Sequence, residues 1–137
     1  MRCSLIANML VQISYNLNKG NDNLALFECG NVYAHDGQVP AQHEMLTLGI
    51  AGLYTDNWQE KQKQATFFHL KGVIEAVFGE FGIKGAAFSL ENQETFSYAA
   101  KIVKNDQCFG IIGSVDKKVL GRFDIKKEVF IAELDLE

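Results

Sequence analysis

The sequence predicts an α+β fold in which an antiparallel β-sheet carries helices packed mainly on one face. Two stretches, around residues 5–19 and 67–81, place apolar residues at the three- and four-residue spacing of amphipathic helices. The first two strand-like stretches are joined by a connection too short for a crossover helix and later ones arrive as a hairpin, which favours antiparallel pairing. With 137 residues, 47% of them hydrophobic, the chain has the length and the apolar content of one domain, so we expect a single module over 1–137.

The first element is a helix that begins after Ser4 and ends before Gly20. The Ser4 hydroxyl can accept a hydrogen bond from an amide of the first turn, and glycine suits the left-handed residue that ends a helix. The apolar face comprises Leu5, Ile6, Met9, Leu10, Ile13 and Leu17.

Two strands are predicted next, at Leu24–Tyr33 and Met45–Tyr54, joined by a loop at 34–42. The loop is too short to hold a crossover helix, so the strands run antiparallel. The first strand holds a carboxylate, Glu28, among apolar residues. The second strand contains two glycines, which indicate that another element packs closely against its backbone.

A second helix is predicted over Phe67–Phe81, with Thr66 as its cap and Gly82 as its end. Gly72 lies inside it and lowers helix stability by about 1 kcal/mol relative to alanine. Either a close packing partner offsets that cost, or the helix is locally weak.

The remainder of the chain reads as short elements joined by turns. The predicted strands and helical turn are Ala86–Leu90, Tyr98–Lys104, Cys108–Val115, Asp116–Phe123 (helical) and Glu128–Leu136. Asn105 and Asp106 form a turn that makes a hairpin of the two strands beside it.

Composition excludes several classes of function. A net charge of −4 and the absence of a Lys/Arg cluster argue against a nucleic-acid surface. The three cysteines form no CxxC pair, so neither a disulfide framework nor a zinc site is predicted, and Cys29 and Cys108 are expected to be small core residues. A reducing cytoplasm fits this pattern. No apolar run reaches the roughly 20 residues that a membrane helix needs, and no membrane partner is expected.

Each of the notable acidic residues could have either a functional or a structural role. Glu28 could be a site carboxylate, but a hydrogen-bonded structural role is the preferred interpretation. Glu133 and Asp135, with Glu137, could hold Mg²⁺, although a solvated strand edge is preferred because such sites also need substrate phosphates. The three histidines show no ligand spacing, so no metal site is predicted.

Several stretches, in order and at similar spacing, resemble the β subunit of bacterial phenylalanyl-tRNA synthetase, in the synthetase-like module near that subunit's C-terminal end. They are Met1–Leu5, Tyr15–Gly20, Leu26–Tyr33, Ala51–Leu53, Trp58, Phe67–Glu75 and Phe130–Leu136. The positions that carry the family motifs, expected to be structural, are Arg2, Ser4, Gly20, Phe27, Glu28, Gly30, Trp58, Phe68, Lys71, Gly72 and Glu75. At 94–100 and 114–117 the sequence departs from the family pattern, which puts any function of those loops in doubt.

The resemblance implies a class II aminoacyl-tRNA synthetase-like fold and a fragment of a longer β subunit. It further implies a non-catalytic module that packs on the α catalytic subunit of an α₂β₂ heterotetramer. That holoenzyme attaches phenylalanine to its tRNA with ATP and Mg²⁺, whereas this module itself would hold no cofactor and would reach tRNA only through other domains.

The arginines favour this non-catalytic interpretation. Class II adenylation sites hold ATP phosphates with arginines, because a guanidinium presents a fixed fork of donors and stays charged. Arg2 and Arg122 are the only arginines in the sequence, and neither lies in such a motif, so no catalytic residue is predicted. The alternatives are an active adenylating domain of the synthetase or biotin ligase type, and a module that binds tRNA directly. Lys71 is expected to pack its stem on the helix rather than to perform chemistry.

Overall fold

The computed structural model describes residues 5–20, 23–36, 39–55, 63–64, 66–80, 82, 85–91, 94–104 and 107–135. The predicted motif residues Arg2, Ser4 and Trp58 lie outside these ranges. No helix among the described residues is long and apolar enough to span a bilayer.

Three helices and eight strands make up the described fold. They are α1 (Ile6–Asn18), β1 (Leu24–Asp36), β2 (Val39–Ala51), β3 (Leu53–Thr55), β4 (Lys63–Gln64), α2 (Phe67–Glu80), β5 (Ala87–Glu91), β6 (Phe96–Lys104), β7 (Gln107–Val115), α3 (Lys117–Arg122) and β8 (Val129–Asp135). Six strands form one sheet in the order β1-β2-β8-β7-β6-β5, and every neighbouring pair is antiparallel. The strands β3 and β4 form a separate ribbon. The predicted antiparallel α+β fold is confirmed.

The prediction of a loop over 34–42 is wrong, because β1 continues to Asp36 and β2 already begins at Val39. Asp36 pairs with Val39, so β1 and β2 form one long hairpin. Pro40 made the stretch look like a loop, since proline cannot donate to a sheet ladder. It is accommodated because β2 meets β8 only over Met45–Ala51, which leaves Pro40 in the part of β2 that pairs with β1 alone.

Of the three described helices, two pack on one face of the sheet and one packs on the other. One apolar core joins α1 and α3 to one face of the sheet, and a second core joins α2 to the other face. Successive side chains of β8 point to opposite faces of the sheet, so Ile131 lies in the first core and Phe130 and Ala132 lie in the second. The sequence of β8 is continuously apolar over Val129–Ala132, which is the pattern of a strand buried on both faces.

The glycines in the strands permit close packing. A Cβ on Gly49 would lie 3.1 Å from side-chain atoms of both Met9 and Ile13, which confirms that an element packs against this strand and identifies it as α1. A Cβ on Gly113 would lie 2.6 Å from the carbonyl oxygen of Tyr98 and 2.8 Å from the Cβ of Ala99. The neighbouring strand therefore leaves no room for a side chain at Gly113.

The N-terminus of α1 donates a hydrogen bond to a side chain of β8, which is distant in sequence. Leu5 occupies the N-cap position, one residue later than predicted, and makes no side-chain cap. Its backbone N–H donates to Oε2 of Glu133 at 2.9 Å, so a β8 carboxylate lies at the positive end of the helix. The interpretation of Glu133 as part of a solvated edge is wrong, because β8 lies between β2 and β7. Gly20 follows the helix with φ of 92°, a conformation that glycine adopts without steric cost.

The helix α2 begins where the sequence predicts. The Thr66 hydroxyl accepts from the N–H of His69 at 3.4 Å, and the Thr66 N–H donates to Nδ1 of His69 at 3.0 Å. Gly82 has φ of 69° just beyond the helix. A Cβ on Gly72 would meet no atom of the described residues within 4 Å, so none of them offsets its cost, which favours a locally weak helix.

Two glycine-to-alanine substitutions should change stability in opposite directions. Gly72→Ala should raise the free energy of unfolding by about 1 kcal/mol, because alanine favours the helix and the site is open. Gly113→Ala should lower it by about 1–3 kcal/mol, because the new methyl group collides with the β6 backbone. Urea denaturation followed by circular dichroism measures both. A destabilising Gly72→Ala would contradict the open site.

Removing the Glu133 carboxylate should destabilise the junction of α1 and β8. We expect Glu133→Ala to lower the free energy of unfolding by about 1–3 kcal/mol, since it leaves a partly buried amide without its acceptor. Glu133→Gln should cost less, because the amide oxygen still accepts while the charge at the helix end is lost. The control is Glu75→Ala, which removes an exposed carboxylate 3.8 Å from Lys71 and should cost below about 0.5 kcal/mol. Equal losses from Glu133→Ala and Glu75→Ala would refute the role of Glu133.

Candidate functional site

The described motif residues do not converge on one pocket. Phe27, Glu28 and Gly30 lie on β1, whereas Phe68, Lys71, Gly72 and Glu75 lie on α2. The two groups are on elements that pack on different parts of the sheet, and Gly20 follows α1. The described motif residues are therefore spread over β1, α2 and the segment that follows α1, and do not form one cluster.

Glu28 bridges the first strand and the first helix. Both of its carboxylate oxygens accept from Nδ2 of Asn8, at 3.0 and 2.9 Å. The side chain is half-buried on the face of β1 that α1 covers. A structural role for Glu28 requires such a contact between strand and helix. The same hydrogen bonds occupy the oxygens that a catalytic carboxylate would present to a substrate.

Lys71 packs against apolar and acidic neighbours on the opposite side of the sheet. Its Nζ lies 4.8 Å from the centre of the Phe88 ring and 3.8 Å from Oε1 of Glu75. The side chain is one-third exposed. The ammonium group therefore lies over an aromatic ring and beside a carboxylate one helical turn away.

The face of β1 that points away from α1 is exposed and largely apolar. Ala25, Phe27 and Cys29 alternate along this face, and Phe27 is 73% exposed. Phe27 and Cys29 pair in register with the half-buried Leu48 and Leu46 of β2. We call Ala25, Phe27 and Cys29 the β1 strip. An exposed large aromatic beside aliphatic neighbours is typical of a contact surface.

The predicted burial of the cysteines is wrong. Cys29 and Cys108 are both free and exposed. Cys29 lies on the β1 strip, on the face of β1 opposite to the one that α1 covers, and Cys108 lies near the start of β7 at the β6–β7 hairpin. Cysteine is usually buried, but the exposure of these two residues depends on whether another element packs on their face of the strand.

A groove runs between α1 and the β1 edge. It encloses approximately 330 Å³ and is lined by Asn8, Gln12 and Asn16 of the helix and by Leu26, Phe27 and Glu28 of the strand. β1 is the first strand of the sheet, so it has a strand partner on one side only. Amide side chains and an unpaired strand edge provide hydrogen-bonding groups beside the β1 strip. Sequence reasoning missed this surface, although the apolar residues on both faces of Leu24–Cys29 were its signal.

The surroundings of the one arginine in the described part of the chain do not fit ATP with Mg²⁺. Arg122 lies on α3 in a cleft of approximately 500 Å³ that also contains Lys118, Glu94 and Asp116. Two carboxylates share that cleft with the two cations, and their negative charges repel phosphate groups. Within the described residues no three His, Cys, Asp or Glu side chains gather as a metal site would require, and an oxygen of the candidate ligand Glu133 is engaged by Leu5.

The fold is that of a class II synthetase. Pyrrolysyl-tRNA synthetase from Desulfitobacterium hafniense superimposes with a TM-score of 0.77 and 16% identity, over 99% of this chain and 47% of that one. A second structure of the enzyme from the same organism superimposes with a TM-score of 0.76. At this identity the likeness concerns the fold alone.

Sequence relatives are more specific. The phenylalanine–tRNA ligase β subunits of Geobacter sulfurreducens and Halalkalibacterium halodurans are 32% and 28% identical over 100% of this chain. That of Bacillus subtilis is 30% identical over 99% of it. The chain spans 18% of the length of each of these relatives.

The family model for the phenylalanyl-tRNA synthetase β chain CLM domain matches residues 1–136. The match covers the six-stranded sheet and all three described helices. The chain therefore belongs to the phenylalanyl-tRNA synthetase β chain CLM domain family.

Proposed function

We propose that this chain is a non-catalytic module of a phenylalanine–tRNA ligase β subunit and that it packs on the α catalytic subunit. The observation that carries the proposal is the β1 strip, an exposed apolar face at the sheet edge of a chain from this family. The holoenzyme would attach phenylalanine to its tRNA with ATP, and the α subunit would perform that reaction in an α₂β₂ assembly.

The β1 strip has the features of an interface centre. Phe27 offers a large ring at low conformational cost, and aromatic residues dominate the binding energy of many interfaces. The groove beside it supplies Asn8, Gln12 and Asn16, whose amides can donate and accept at a polar rim. An apolar centre with a polar margin is the usual anatomy of a stable protein contact.

In this proposal the α subunit, which performs the reaction, also binds the cofactors. ATP and Mg²⁺ would bind the α subunit and not this module, whose described arginine lies among carboxylates. The module would be one part of a longer cytoplasmic β subunit, as its 18% share of the relatives' length suggests. Other domains of that subunit would make the principal contacts to tRNA.

A charge placed on the β1 strip should weaken binding to the α subunit. We expect Phe27→Asp in the β subunit to raise the dissociation constant at least about 30-fold, since burying an unpaired carboxylate at a contact centre is costly. Isothermal titration calorimetry of the two purified subunits measures it. Leu90→Asp is the matched control, because Leu90 is 91% exposed on the strand at the opposite edge of the sheet. Wild-type affinity in Phe27→Asp would refute this surface as the interface.

The module should also fail to activate an amino acid. We expect the full chain to show no ATP–pyrophosphate exchange with phenylalanine or with any other amino acid, whereas the α₂β₂ enzyme exchanges with phenylalanine. Exchange above background by the chain alone would establish the rival adenylating function. The assay is independent of subunit binding, so the two parts of the proposal are tested separately.

A further inference from the structure

A basic cleft lies where β7 ends and β8 begins. It encloses approximately 560 Å³ and is lined in part by Lys117, Lys126 and Lys127. The chain as a whole carries a charge of −4, yet residues 116–128 hold five of its 13 Lys and Arg residues against three carboxylates. The fold brings three of these five, Lys117, Lys126 and Lys127, to this cleft, and one carboxylate, Glu128, lines the cleft with them.

Hydroxyl groups line the same cleft. Ser114 is 7% exposed, and Ser97 and Tyr98 stand beside it. A buried serine next to lysines provides a fixed donor among mobile charges, and phosphate oxygens accept from both kinds of group. The chemistry of the cleft is therefore that of an anion site for phosphate groups.

Aromatic rings lead out of the cleft. Tyr98 lines it and is 52% exposed. Its ring centre lies 5.8 Å from that of Phe67, which in turn lies 5.7 Å from the ring centre of Phe68. Phe68 is 74% exposed. Exposed aromatic side chains beside a basic groove form the combination that binds unpaired bases together with their phosphates.

We infer that this cleft binds a single-stranded RNA segment, with phosphates at the lysines and bases stacked on Tyr98 and Phe68. A duplex would satisfy only the lysines, because its bases are already stacked on one another. A small anion such as pyrophosphate would likewise leave the rings unused. The inference does not depend on the β1 strip, which lies on the opposite edge strand of the sheet from β5 and away from β6 and β7.

The binding test uses the full chain and a fluorescein-labelled oligouridine of about 12 nucleotides, a length within the range that such grooves cover. Fluorescence anisotropy should show saturable binding at low salt, with affinity at least about 5-fold higher than for a duplex of equal length. Contacts to three phosphates predict a log–log salt slope of about −2. Absence of binding, equal affinity for the duplex, or complete displacement by equimolar pyrophosphate would overturn the inference.

Two double variants with the same change in net charge distinguish binding at the cleft from a general effect of the protein's charge. Lys117→Glu with Lys126→Glu should weaken binding at least about 10-fold and flatten the salt slope. The control, Lys19→Glu with Lys104→Glu, makes the same change in charge at residues that do not line the cleft and should weaken binding less than about 2-fold. Equal effects of the two pairs would overturn the site.

The stacking contact is tested by Tyr98→Leu, which keeps an apolar side chain against Phe67 and removes the ring. Binding of the oligouridine should weaken at least about 5-fold. Tyr15→Leu is the matched control, because Tyr15 lies on α1 and is 55% exposed, close to the 52% of Tyr98. Circular dichroism and thermal melting establish that both variants are folded. Unchanged binding by a folded Tyr98→Leu would overturn the stacking role and with it the inference.

Discussion

The rest of the structure depends on a strand that is buried on both of its faces. β8 lies in the interior of the sheet, and its alternate residues supply two separate cores, one beneath α1 and α3 and one beneath α2. Because interiors are close-packed, each core fixes the position of the helices above it. The strand also holds Glu133, whose carboxylate meets the first amide of α1. Sheet order, helix placement and the start of α1 are thus set by one strand.

Much of this fold could be predicted from local patterns. The helices and most strands were identified because their apolar periods are clear, and the close approach to Gly49 was foreseen from glycine in a buried strand. The hairpin at 34–42 was missed because Pro40 is a local signal of a loop, while its tolerance depends on how far β8 extends along β2. Which elements cover each face of the sheet likewise depends on residues far apart in sequence. The exposure of Cys29 and the packing of α2 on the second face were therefore not predicted.

The candidate sites illustrate the same limit. The role of Glu28 could be anticipated from one strand, because a carboxylate among apolar residues needs a donor, and Asn8 provides it. The β1 strip and the basic cleft required the arrangement in space. Lys117 and Lys126 are nine positions apart in sequence, and Tyr98 comes from another strand, yet all three line one cleft.

The hydrogen bond between Leu5 and Glu133 joins positions 128 apart, and this separation affects the order of events during synthesis. The first helix leaves the ribosome long before the strand that receives its N-terminus. At about 5–20 residues per second, the interval is on the order of ten seconds. Through that time α1 has only its local propensity and early contacts with the β1–β2 hairpin to support it, so its apolar face is open to chaperones or to other nascent chains. Completion of this domain therefore waits for β8, whose Glu133 carboxylate then secures the start of α1.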